Sequence, residues 1–137
     1  MSNLLIIDDD PTTCTPLVRL LNDAGHTATC ASGPVQAMKY LRAGDLDLVL
    51  LDLSMPGLDG FDLLQALAEE PRYAKVPVAV YSGQDDPAIV AQAMHLGARD
   101  FLTKGMTWDQ LSQRIDALLR DQPDPPADQE QQPQPWA

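Results

Sequence analysis

Leu48-Val49-Leu50-Leu51-Asp52-Leu53-Ser54-Met55-Pro56-Gly57 decides the fold. Its first four residues form an unbroken apolar run, the pattern of a short strand buried on both faces. The run stops on a carboxylate, and Pro56 and Gly57 then turn the chain. Leu4-Leu5-Ile6-Ile7 does the same, ending in Asp8-Asp9-Asp10. A buried strand that ends in a carboxylate places that group at the rim of a sheet. Two such strands side by side gather at least three negative charges in one crevice. Like charges repel, and burial makes this worse, so the cluster calls for a cation.

Outward from these two runs, strand and helix signals alternate. Strands are expected at about 3–8, 27–31, 47–51, 77–81 and 99–103. Pro11 opens a first helix to about residue 24, with Leu17, Leu20, Leu21 and Ala24 on one face and Gly25 closing it. Ser32 or Gly33 begins a second, ending at Gly44. A loop with Pro56, Gly57 and Gly60 leads to a third at about 61–70. Asp86-Pro87 start a fourth, closed by Gly97. Thr107 N-caps a fifth through about 119. Five such units imply an α/β fold with a doubly wound parallel sheet covered on both faces. Its binding crevice lies beyond the carboxyl ends of the strands, where every acidic strand end falls.

The chain has 137 residues and 45% hydrophobic residues, enough for one domain with a real core. From Asp121 the composition shifts: residues 121–137 hold 5 Pro, 5 Gln, 4 acidic residues and no basic one. That is a disordered acidic tail beside a folded domain at 1–120. Its Trp136 is read as an exposed aromatic, with a short docking peptide as the alternative. The net charge of −11, from 9 basic against 20 acidic residues, disfavours nucleic acid and anionic membranes as partners. No apolar stretch approaches the ~20 residues of a membrane span, and no export signal is visible. Cys14 and Cys30 sit in no CxxC and near no histidine at ligand spacing, and read as small buried hydrophobes. A cytoplasmic protein is expected.

Five groups converge on the acidic edge. Asp8 and Asp9 follow the first strand, Asp52 ends the third, Ser82 the fourth and Lys104 the fifth. Asp10, before Pro11, reads as a helix cap. Hard oxygen ligands suit Mg²⁺. A carboxylate nucleophile, a metal, a mobile cation and a hydroxyl donor are the parts that phosphoryl transfer needs.

On these residues the sequence closely resembles the receiver domain of two-component response regulators, over about residues 2–120. The resemblance rests on the acidic pair at 8–9, the Asp-x-x-Met-Pro-Gly-x-x-Gly loop at 52–60, the hydroxyl at 82, Gly97-Ala98, and Lys104. It implies a flavodoxin-like, five-stranded parallel sheet of order 2-1-3-4-5 with five helices. It also implies a single-domain, CheY-like signalling protein rather than an enzyme, with no output domain after residue 120. Asp52 would be the phosphoacceptor, charged by a sensor histidine kinase or phosphotransfer protein. Asp9 would bind Mg²⁺ directly, Asp8 through water, and the Ser54 backbone carbonyl would be a further ligand. Ser82 would close on the phosphoryl oxygen and Lys104 would neutralise it. Ser82 and Phe101 would form the switch, and Ser54 and Gln84 would tune phosphate lifetime. Output would pass to a protein bound on the face of the fourth helix, fifth strand and fifth helix.

The sequence departs from the family in three places. Gly105 stands where proline, often cis, usually follows the lysine; a cis non-proline bond costs ~3 kcal/mol, so a trans bond or another loop shape is expected. Serine at 82 replaces the commoner threonine, and Phe101 the frequent tyrosine. Two rival readings remain. One is a receiver fold acting as an interaction module without phosphorylation. The other is a haloacid dehalogenase-like phosphatase, suggested by Asp8-Asp9-Asp10-Pro11-Thr12 but lacking its later acidic pair. His26 and His95 are read as ordinary helix-end and surface residues.

Overall fold

The computed structural model of the chain describes residues 2–55 and 58–120. The expected tail at 121–137 with Trp136, and the Pro56-Gly57 step of the loop motif, lie outside the described residues. Along the chain run β1 (Asn3–Ile7), α1 (Pro11–Asp23), β2 (Thr27–Ala31), α2 (Pro34–Ala43) and β3 (Leu48–Leu51). Then come the two-residue strands β4 (Ser54–Met55) and β5 (Leu58–Asp59), and α3 (Gly60–Glu69). β6 (Val78–Ser82), α4 (Pro87–His95), β7 (Asp100–Thr103) and α5 (Trp108–Arg120) complete it.

Five strands form one sheet in the order β2-β1-β3-β6-β7, every neighbouring pair parallel. With the separate β4-β5 ladder set aside, this is the expected order 2-1-3-4-5. The ladder itself was expected to be plain loop; Ser54 pairs with Asp59 there, antiparallel.

The two-residue period of the strands splits their apolar runs between two cores. Leu5, Ile7, Val49, Leu51, Val78 and Val80 face Leu41, Leu64, Leu67 and Ala93 of α2, α3 and α4. Leu4, Ile6, Leu48, Leu50, Ala79 and Leu102 face Leu17 and Leu21 of α1 and Leu111 and Ile115 of α5. A continuous apolar strand is therefore the sequence of a sheet that no water touches on either side.

The helix starts follow from local side-chain chemistry. Asp10 caps α1: its Oδ1 accepts from the Thr12 N–H (2.9 Å) and the Thr12 hydroxyl (2.6 Å). Thr107 and Gln110 cap α5 reciprocally. Thr107 Oγ1 accepts the Gln110 N–H at 3.2 Å, and Gln110 Oε1 accepts the Thr107 N–H at 3.0 Å. At Gly60, opening α3, a Cβ would lie 2.5 Å from the Leu53 Cα. Only glycine lets α3 start against the residue that follows Asp52.

One expectation is corrected. Cys14 and Cys30 are not separate buried thiols; they are joined as a disulfide with Cα atoms 6.1 Å apart. They lie 16 residues apart in sequence, one on α1 and one on β2. Their meeting depends on how α1 crosses over the sheet, which residue spacing does not reveal.

Candidate functional site

Strand register assembles the site. Ile7 is the register partner of both Ala31 and Leu51, so Asp8 and Asp52 leave the sheet side by side. Backbone hydrogen bonds carry the pairing one step further: Asp8 N–H to Ala31 O (3.0 Å) and Asp52 N–H to Ile7 O (2.9 Å). On the other side Ser82 pairs with Thr103, and the Lys104 N–H donates to Ser82 O at 2.9 Å. Asp8, Asp52, Ser82 and Lys104 are thus held by main chain at one rim.

Asp8 (2% exposed), Asp52 (6%) and Ser82 (1%) are the buried polar residues there, and Asp9 is exposed. Asp8, Asp9 and Asp52 each offer a carboxylate oxygen, and these oxygens lie within 4.8 Å of one another. Lys104 Nζ reaches across, 2.8 Å from Asp8 Oδ2 and 3.4 Å from Asp52 Oδ2. Asp52 Oδ1 accepts the Ser54 N–H at 3.1 Å. Asp8 Oδ1 accepts the Asp10 N–H at 3.0 Å, whereas buried Asp8 Oδ2 meets no hydrogen-bond geometry and has only the nearby ammonium. A buried oxygen so placed, beside two further carboxylates, fits a hard divalent cation.

The titration behaviour follows from this crowding. Burial first, with the Asp8 charge adding to it, pushes the Asp52 carboxyl above its usual range, against the Ser54 hydrogen bond and Lys104. Burial also works against the Lys104 charge. The close contact with Asp8 and the Asp52 charge outweigh it, so the ammonium holds its proton more tightly than usual. Asp10 differs: its hydrogen bonds from Thr12 lower its pKa. Its carboxylate is committed to the helix cap, which removes the second aspartate that the dehalogenase-like motif would need.

Of the remaining expected residues, Ser82 Oγ accepts the Gln84 N–H at 3.1 Å, leaving its hydroxyl hydrogen free to donate. Gln84 and Ser54 are exposed. Phe101 is half-buried against the α3–α4 core, and with Thr103, Met106, Gln110, Gln113 and Arg114 it lines a shallow depression. Among the described residues no peptide bond is cis, so Lys104-Gly105 is trans as expected, closed by a Met106 N–H to Thr103 O bond of 3.1 Å. His26 lies 4.0 Å from Asp116, away from the acidic rim. Sequence reasoning missed the Asp100–Arg114 fork, in which Arg114 Nε donates to Asp100 Oδ2 at 2.7 Å and Nη2 to Oδ1. An acid opening β7 and a base in mid-α5 carry no local signal of their meeting.

Comparison with known proteins agrees with this geometry. The profile of the family "Response regulator receiver domain" matches residues 4–116. The protein PilH of Pseudomonas aeruginosa is 32% identical over 119 residues, covering 87% of this chain and 98% of PilH. The sensory transduction protein RegX3 of Mycobacterium tuberculosis is 36% identical over 121 residues, 88% of this chain but only 52% of RegX3. Among solved structures, the signal receiver domain of a DNA-binding response regulator from Colwellia psychrerythraea 34H superposes with a TM-score of 0.82. It is 27% identical and covers 88% of this chain and 100% of that one.

Proposed function

The chain belongs to the response regulator receiver-domain family, and on that premise we propose that Asp52 is its phosphoacceptor. The family's work is phosphoacceptance in two-component signalling, in partnership with histidine kinases or phosphotransfer proteins. The observation that carries the assignment is the rim itself: three carboxylate oxygens within 4.8 Å, with Lys104 Nζ 2.8 and 3.4 Å from two of the carboxylates.

An Asp52 carboxylate oxygen attacks the phosphorus of a phosphohistidine. A P–O bond forms, the P–N bond breaks, and the imidazole nitrogen leaves and takes up a proton. Asp8, Asp9, Asp52 and the Ser54 backbone carbonyl would hold Mg²⁺. When bound, the ion supplies positive charge to the phosphoryl oxygens. Lys104 and the Ser82 hydroxyl, on neighbouring strands, stabilise the same oxygens from the other side. The phosphoryl group adds about 1.5 to 2 negative charges beside Lys104. Ser82 then moves inward and Phe101 turns toward the space it leaves. The change is read by a partner protein on the face of α4, β7 and α5, where Phe101, Met106 and Gln110 line the depression. Exposed Ser54 and Gln84 control water access and so phosphate lifetime. Its phosphoryl chemistry is confined to its own carboxylate, and the acidic chain is steered to proteins rather than nucleic acid. The exchange is assigned to the cytoplasm, where kinase phosphohistidines form; no described helix is long and apolar enough to cross a membrane.

Incubation with phosphoramidate and Mg²⁺ tests the assignment by intact mass. Wild type is expected to gain one phosphoryl group and Asp52→Asn none. A gain retained in Asp52→Asn shows that the acceptor is another residue, and no gain in wild type overturns the reading.

A further inference from the structure

We propose that Cys14 and Cys30 form a redox-responsive crosslink that governs the acidic turn at Asp8–Asp10 and, through it, phosphoryl acceptance at Asp52. The regulatory half rests on the function proposed above. The geometry stands apart from it.

The two sulfurs bracket one atom. Cys14 Sγ lies 3.6 Å and Cys30 Sγ 3.5 Å from the backbone carbonyl oxygen of Asp8. As thiols, both can donate weak hydrogen bonds to that carbonyl; joined as a disulfide, neither can. The crosslink also ties the first turn of α1 to the end of β2. Between these two anchors runs the acidic turn. The Asp8 N–H is held by Ala31 O, next to Cys30, and the Cys14 N–H by Asp10 O, both at 3.0 Å. Asp8 Oδ1 accepts the Asp10 N–H inside the turn. The turn is therefore fastened on its β2 side beside one crosslinked cysteine and on its α1 side at the other, in addition to the Asp10–Thr12 cap.

In this arrangement Asp8 faces Lys104 at 2.8 Å. On the proposed function, accepting a phosphoryl group draws the ammonium toward the new charge, and the Asp8 carboxylate must readjust as that contact loosens. The crosslinked turn resists this, and the dithiol form, held only by hydrogen bonds, permits it. Oxidation is thus expected to slow phosphoryl acceptance.

Exposure sets the order of the exchange. Cys14 is 6% exposed, whereas Cys30 is half-buried on the sheet's edge strand β2. The Cys30 thiolate attacks a low-molecular-weight disulfide such as glutathione disulfide and displaces one thiol. The Cys14 thiolate then attacks the Cys30 sulfur of the mixed disulfide and displaces the second. Two protein thiols lose two protons and two electrons, and the small disulfide becomes two thiols. A dithiol reductant reverses both steps. In the proposed cytoplasmic setting a bond of this kind is transient and sensing rather than permanent.

The test uses the full chain equilibrated with glutathione disulfide or with a dithiol, with free thiols counted by alkylation and mass. The metal-free forms are compared by amide exchange at Asp8, Asp10 and Cys14. Phosphorylation by phosphoramidate with Mg²⁺ is timed in each form. Exchange and phosphorylation are both expected to be at least about fivefold slower in the oxidised form, the lower end of measured couplings between sites. The C14S/C30S variant should match the reduced form and ignore glutathione disulfide. Thiols that stay free in glutathione disulfide, or equal amide exchange in the two forms, overturn the crosslink proposal whatever the phosphorylation result. Equal phosphorylation rates in two forms that both react overturn its regulatory half. Phosphorylation of neither form instead refutes the Asp52 assignment.

Discussion

Replacing Lys104 with methionine isolates what the ammonium does, because methionine keeps most of the apolar stem and removes the charge. Nζ lies 2.8 Å from Asp8 and 3.4 Å from Asp52. At an effective dielectric of about 20 these contacts are worth roughly 6 and 5 kcal/mol of gross attraction. Much of that offsets the cost of taking the charges out of water. Removing one partner of a buried pair costs about 3–5 kcal/mol net. The lysine side chain is 25% exposed, which places the expected loss near the lower end, about 3 kcal/mol. Part of the loss is self-limiting. With carboxylate oxygens up to 4.8 Å apart, each pair repels by at least roughly 3.5 kcal/mol at the same dielectric, and proton uptake relieves it. Burial already holds the Asp52 carboxyl above the usual carboxylate range. Losing Lys104 raises it further, so the loss is full at neutral pH and shrinks as pH falls through the raised value. With a urea m-value of about 1–3 kcal/mol/M, the midpoint at pH 7 without metal should fall by about 1–3 M. Lys104 also competes with any divalent ion for the same oxygens. The variant should therefore bind Mg²⁺ more tightly, and the stability gap should narrow by about 1.4 kcal/mol for each tenfold gain in affinity. Urea titrations with and without Mg²⁺ measure both effects. A variant as stable as wild type without metal, or a gap that Mg²⁺ leaves unchanged, refutes the view that Lys104 holds the carboxylates together.

Asp52→Asn should stabilise the metal-free protein at neutral pH. Burial raises the folded-state pKa of Asp52, so the native chain holds its proton more tightly than the unfolded chain does. Wild-type stability therefore falls as pH rises from about 3.8 through the raised value. The gain from asparagine should be complete above that window and absent below it; an equal gain at pH 3.5 and pH 7 would count against the electrostatic account. Gly60→Ala places a Cβ 2.5 Å from the Leu53 Cα and 2.9 Å from its carbonyl oxygen. Because backbone must move, a loss of about 1–3 kcal/mol or more is expected. Thermal melting reads it, and phosphorylation should slow because Leu53 adjoins Asp52; an unchanged melting temperature would mean that α3 can shift freely.

What the sequence makes legible is what main-chain regularity determines. Leu48–Leu51 and Leu4–Ile7 announce buried strands, and parallel register then obliges Asp8 and Asp52 to emerge together. Asp10 could be separated from the cluster because a carboxylate before proline at a helix start has local work, and it does bond Thr12. What stayed hidden depends on where unrelated segments meet. Cys14 reaches Cys30 only once α1 lies across β1 and β2, and Arg114 meets Asp100 only when α5 packs beside β7. The close approach of Gly60 to Leu53 looked like an ordinary turn glycine, since nothing in a sequence tells a glycine needed for contact from one needed for conformation.

The position of β7 explains how a change at Asp52 can leave the site. Among the described residues β7 is an edge of the sheet and pairs only with β6, which leaves one side of its backbone without ladder bonds to them. The chain runs from Asp100 and Phe101 through Thr103 into Lys104, joining the ammonium that senses Asp52 to the residues of the proposed output face. Ser82 is tied to the same segment through the Ser82–Thr103 pairing and the Lys104 N–H bond to its carbonyl. A central strand such as β6 could not follow a pull without breaking bonds on both sides, whereas the edge strand that leads into Lys104 can shift against one neighbour. The Arg114 fork on Asp100 fastens the start of β7 to α5, so any such shift carries α5 with it. On the proposed reading, the hydroxyl at the end of β6 and the lysine just after β7 join the buried rim to an edge strand that can move.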